Sequence, residues 1–173
     1  MNLAPLFLGA ALALTPQPTL NVELLDKTLE FIRANKKRWD QGVWRYVSLG
    51  SRTPQKVAAL KKAPECGTAM CFAGWAAQIS GCTWAVSTQK LVAEALEENY
   101  QVEDTSILAT PEERATGLGW YDDDRKAYLV SARDRAKREL GLTEAEANEL
   151  FAGGNTLTDL RRIITCIKRG DYR

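Results

Sequence analysis

Apolar residues recur at helical spacing in several segments of the chain. Val22, Leu25, Leu29 and Ile32 fall on one face behind Asn21, a residue type that caps helices, and predict an amphipathic helix over residues 22–36. Its basic end, Lys36-Lys37-Arg38, sits where the helix dipole favours cations. Residues 66–89 carry no charged side chain, and within them Cys71, Phe72, Trp75 and Ile79 form a bulky stripe flanked by Ala and Gly. With Thr68 as cap and Gly81 as stop, this pattern predicts a buried central helix over about 68–80. Partial alternation in Val43, Trp44, Tyr46 and Val47 predicts a short β element near 43–47, and "TWAVS" a second near 83–87.

The remaining elements follow from start and stop signals. Ser87 or Thr88 can open a helix with Leu91, Val92, Ala95 and Leu96 inward, and the chain turns acidic from Glu97 to Asp104. Thr110-Pro111-Glu112-Glu113 and Thr143-Glu144-Ala145-Glu146 read as capping boxes, the first with Pro at the first helical position. Between them, Asp122 to Asp124 lead into an expected helix over 124–140, with Tyr128, Leu129, Ala132, Ala136 and Leu140 on its inner face and Gly141 as its stop. Ala147, Leu150 and Phe151 then face inward on a short helix. Thr156 or Thr158 opens a last one with Leu157, Leu160, Ile163, Ile164 and Ile167 on one stripe. The expected fold is mainly α, a single-domain helical bundle around the central helix, occupying residues 21–173.

Residues 1–22 have no charged side chain. Residues 3–14 match the length of a signal-peptide apolar core, and Ala11 and Ala13 make an A-x-A site, but no Lys or Arg precedes them. Pro16 and Pro18 end the run short of the roughly 20 residues a membrane helix needs. The expectation for residues 1–20 is an apolar arm packing on the domain or mediating self-association; a signal, or a translation start further on, is the alternative. A membrane is not expected as a partner.

Charge is uneven along the chain. Residues 23–62 carry ten Lys/Arg against four Asp/Glu, whereas residues 105–173 carry twelve of each. The basic segment, with Lys36, Lys37, Arg38, Arg45, Arg52, Lys56, Lys61 and Lys62 interleaved with Trp39, Trp44 and Tyr46, is a candidate contact for nucleic acid or for an acidic protein surface. A helix-turn-helix over 124–168, with Arg161, Arg162, Lys168 and Arg169 on its last helix, is a second route to DNA. That half of the chain is charge-neutral, which argues for solvated helix faces instead.

The absence of histidine changes the reading of "ECGTAMCFAGWAAQISG". If Thr68 caps the helix, Cys71 stands at the third helical position, where free N–H groups favour a thiolate, with Cys66 just ahead. Cysteine–histidine catalysis is nevertheless excluded, since no imidazole exists to hold the proton. The Cys66–Cys71 spacing is C-x4-C, and a zinc site would need Cys66, Cys71, Cys82 and Cys166 together. The preferred reading is buried structural thiols, with Thr68, Phe72, Gly74 and Trp75 as the core of the motif. A thiol redox module using Cys66, Cys71 and Cys82, or a zinc module using all four cysteines, is the alternative. "YDDDR" lacks the alternate ligand positions of a calcium loop, and no phosphate-binding or nucleophile motif is present. No catalytic residue, metal or cofactor is expected.

Cys66-Gly67-Thr68, Cys71 and Ala73-Gly74-Trp75-Ala76, followed by Leu140-Gly141-Leu142-Thr143, Glu146-Ala147 and Leu150-Phe151, resemble a pattern in small proteins of actinobacterial phages and their hosts. The resemblance covers residues 22–80 and 136–167 and departs in the apolar N-terminus and the longer stretch 85–125. It implies a phage or prophage setting without an established activity. The expectation is a non-enzymatic accessory or host-interaction protein acting through protein–protein contacts in the host cytoplasm, with the virion or export as alternatives. A nucleic-acid-binding regulator is the second reading.

Overall fold

Asn21 begins the first helix as expected: its side chain accepts a hydrogen bond from the Leu24 N–H, and α1 runs Val22–Ala34. The structure, a computed structural model, describes residues 19–48, 68–85, 101–103 and 105–172. The chain is mainly α, with two small antiparallel sheets. After α1, a 3-10 turn at Lys36–Arg38 leads to β1 (Tyr46–Ser48), β2 (Thr68–Ala69) and α2 (Phe72–Ile79). β3 (Gln101–Glu103), β4 (Ser106–Leu108), α3 (Pro111–Ala115), β5 (Trp120–Asp122) and β6 (Ala127–Ser131) follow. The chain ends in α4 (Ala132–Leu140), α5 (Glu144–Phe151) and α6 (Leu157–Arg169). One sheet has the order β2-β1-β3 and the other β4-β6-β5. The expected apolar arm, the connection over 50–64 and the helix after Ser87 lie outside the described residues.

The central helix is shorter than its apolar pattern suggests. Thr68 and Ala69 are in β2, paired with Val47 and Tyr46, and the helix starts at Phe72 with Cys71 as its cap. The reason is backbone competition: Met70 N–H donates to the Arg38 carbonyl at 3.1 Å and Cys71 N–H to the Val43 carbonyl at 2.7 Å. These bonds hold 70 and 71 extended along the segment after α1. Phe72 to Ala77 are all buried, and α2 packs against α1, α4 and α5.

A second correction concerns residues 124–140. Residues 127–131 form β6, with Leu129 opposite both Leu108 and Trp120, and the helix occupies only 132–140. The aromatic Tyr128 and the β-branched Val130 suit a pleated surface, and Ser131 caps α4 by accepting from the Asp134 N–H at 3.0 Å. Asp122 thus ends β5 and Asp123 and Asp124 lie in the hairpin turn, where the Asp122 carboxylate accepts from the Arg125 N–H at 2.7 Å, and none of the three starts a helix. The element expected near 43–47 is the strand at 46–48. In the 83–87 region, Trp84 makes an isolated antiparallel bridge to Ile107, and residues beyond 85 lie outside the described ones.

The capping boxes at Thr110/Glu113 and Thr143/Glu146 are formed, and a third joins Thr156 to Asp159. On α6, Leu160, Ile163, Ile164 and Ile167 are buried at the i, i+3, i+4, i+7 spacing. Gly141 ends α4 with a φ of 65°, and a Cβ there would lie 1.8 Å from the Thr19 carbonyl oxygen. Only glycine lets the chain entering α1 run this close, and the approach is fixed by Asn21 N–H donating to the Leu140 carbonyl at 2.9 Å.

Candidate functional site

The described part of the cysteine motif, from Thr68 on, lies in the core. The Cys71 sulfur accepts from the Gly74 N–H at 3.4 Å, so the side chain serves as a helix cap. Burial pushes its thiol up to about 11 and that of Cys82 to about 12, the reverse of the activation that a third helical position implied. Cys71, Cys82 and the half-buried Cys166 are free thiols, and Cys66 lies outside the described residues. Thr68 is buried without a hydrogen-bond partner for its hydroxyl, so it does not cap the helix. Trp75 is buried, donates its indole N–H to the Arg38 carbonyl at 3.0 Å and meets the Phe31 ring at 4.4 Å between centroids, tilted by 42°. Gly74 is a contact requirement: a Cβ would lie 2.0 Å from the Trp44 carbonyl oxygen. Among the described residues, no group of three or more Cys, Asp or Glu converges as a metal site.

The basic candidates separate into two kinds. Arg45 is buried with its guanidinium over the Trp84 ring at 5.1 Å, which corrects its reading as a surface contact. Arg38 lies over Trp75 at 5.1 Å and Phe31 at 5.8 Å, and Trp44 packs half-buried against the core. Both arginines therefore serve packing through cation–π contact. Lys36 and Lys37 remain exposed; Arg52, Lys56, Lys61 and Lys62 lie outside the described residues. Lys36 joins Arg33, Ala34 and Glu30 of the α1 end with Leu157 and Arg161 of α6 to line a cleft of about 370 Å³.

A third feature was missed in the sequence. Tyr121 and Tyr128, opposite one another on β5 and β6, are 47 % and 44 % exposed and meet edge to face at 5.2 Å. Tyr128 was expected to face inward on a helix; in a strand of alternating side chains it faces out while Leu129 is buried. Arg114 lies over the Tyr128 ring. Val130, on the same strand face as Tyr128, supplies with Leu118 and Leu142 the apolar lining of a recess of about 220 Å³, whose wall also includes Glu113, Asp134, Lys137 and Arg138; Leu118 is 52 % exposed. The available signal was two aromatic runs, "WYD" and "AYLV", separated by a polar turn.

Beneath the recess is a buried ion pair. Glu113 closes the α3 capping box, accepting from the Thr110 N–H at 2.6 Å, and also accepts from Arg135 Nε at 2.7 Å and pairs with Arg138 at 2.8 Å. Burial alone would raise its carboxyl. The Arg135 and Thr110 hydrogen bonds and the two guanidinium charges outweigh that, and hold it below the usual carboxylate range. With its lone pairs so occupied, Glu113 fastens α3 to α4.

Comparison with known protein families, curated proteins and solved structures gives no match to this chain. No helix among the described residues is long and apolar enough to cross a membrane.

Proposed function

We propose that the chain is a non-enzymatic accessory or host-interaction protein of a phage or prophage, acting through protein–protein contact. The observation that carries the reading is the Tyr121–Tyr128 face beside the Leu118–Val130–Leu142 recess. Exposed tyrosines next to an apolar hollow are the composition of interface hot spots. The occupant is a partner protein that inserts a bulky apolar side chain into the recess. Buried, proton-retaining Cys71 and Cys82 support a non-catalytic part for the motif. We further propose that α1, α4, α5 and α6 form a single bundle about α2, a reading supported by the burial of Phe72 to Ala77.

The test is to cross-link the protein in host cells, identify the partner, and measure affinity of the purified pair. Tyr121→Ser with Tyr128→Ser is expected to weaken binding at least about tenfold, as for a hot-spot residue, with thermal unfolding little changed. Undiminished affinity would overturn the proposal. So would self-association lost in the same variant, since the face would then belong to a second copy.

A further inference from the structure

The cleft between α1 and α6 has a property that its composition alone does not convey. Most cations on the described helices have a partner: Lys27 pairs with Glu23, Lys137 with Glu144, Arg162 with Asp159 and Arg169 with Asp171. Among the described residues, Arg33, Lys36 and Arg161 have neither an ion pair nor a ring contact, and all three line the same cleft. Glu30 is the only acidic one of the described residues lining it, so the described wall carries three cations against one anion. The two helix ends add little net field, because the C-terminus of α1 and the N-terminus of α6 meet there with opposite partial charges. Like charges gathered around a concave space repel one another, and an anion placed among them relieves that repulsion.

We propose that this cleft binds a small phosphorylated hydroxy compound, of the sugar-phosphate class. Arg33, Arg161 and Lys36 take the phosphate through charge-assisted hydrogen bonds, for which the guanidinium fork is suited. Glu30 accepts from a hydroxyl of the ligand, a role a carboxylate cannot play toward the phosphate itself. Ala34 and Leu157 supply an apolar floor. A volume of about 370 Å³ lies at the small end of ligand pockets. Lining by three cations is also few for a duplex, where binding commonly neutralises several phosphates along the backbone.

Isothermal titration with ribose 5-phosphate, inorganic phosphate and a single-stranded oligonucleotide tests the proposal on the full chain. Saturable, salt-sensitive binding of ribose 5-phosphate is expected, tighter than that of inorganic phosphate. Arg161→Gln and Arg33→Gln should each weaken it about tenfold or more, the loss of a charge-assisted contact, without shifting thermal unfolding. Arg162→Gln, next along α6 and paired with Asp159, should leave it unchanged. Three outcomes would overturn the assignment: absence of saturable ribose 5-phosphate binding, equal binding by Arg161→Gln, or oligonucleotide affinity that exceeds it and grows with length. The last would give the cleft to nucleic acid.

Discussion

Trp75 is buried on all sides of its ring, meets the tilted Phe31 ring and spends its one polar atom on the Arg38 carbonyl. Trp75→Ala therefore removes packing and a hydrogen bond together, and about 3–5 kcal/mol of destabilisation is expected in denaturant unfolding. Cys71→Ala should be tolerated better, because it deletes one small atom and one long sulfur contact of 3.4 Å. Loss of function by that variant in a fully folded protein would return the cysteine to the role of a site. Thr68 gives the opposite sign. Its buried hydroxyl has no partner, so Thr68→Val keeps the shape, removes an unsatisfied group and should leave stability equal or raised. Thiol titration supplies a parallel check. Cys82, raised to about 12 by burial, should resist modification at pH 8 until the protein is unfolded.

Among the elements, α3 and α4 depend on Glu113 for their union. Its folded carboxyl lies below the unfolded value, so the stability it contributes is fully present above the ordinary carboxylate range near pH 4.3 and is lost as pH falls through the folded value. Glu113→Gln should be less stable at pH 7 and show a shallower loss in acid, measured by unfolding midpoints between pH 7 and 3. Helix starts were the most legible part of the sequence, since Asn21, Thr110 and Thr143 carry their caps locally. The apolar stripe of α6 was legible for the same reason. What failed was the discrimination of strand from helix at 68–71 and 127–131. There a short apolar run fits either period, and the choice is made by distant backbone, the Arg38 and Val43 carbonyls in one case and β4 and β5 in the other. Arg45 illustrates the limit for sites: a charged residue in a basic run reads as surface unless the ring that covers it is known, and Trp84 is far along the chain.

For the molecule as a whole, the described residues present two unlike faces. One is the aromatic hairpin with its recess, the other the cationic cleft, and each has its own substitution test. Charge in the second half is largely consumed internally: Glu144 accepts from Lys137 and Arg133 and is held down to about 2. Such pairing locally neutralises much of the charge of the twelve cations in residues 105–173. It also predicts weak salt dependence of any protein contact made through the hairpin. A nearly flat plot of log affinity against log salt for the partner, beside a steep one for ribose 5-phosphate, would separate the two faces in one buffer series.

Gln41 stands at the junction of three segments. Its oxygen accepts from the Phe72 N–H at 3.1 Å and the Trp39 indole at 3.0 Å, while its nitrogen donates to the carbonyls of Leu150 at 3.1 Å and Ala152 at 3.3 Å. All four positions of the amide are filled, and each end meets groups of the opposite kind. The junction is thus polarised and works in one orientation only. A carboxylate of the same shape would set its second oxygen against the two carbonyls. Gln41→Glu, a change invisible to size and packing, would therefore undo the fastening of α2 to the end of α5.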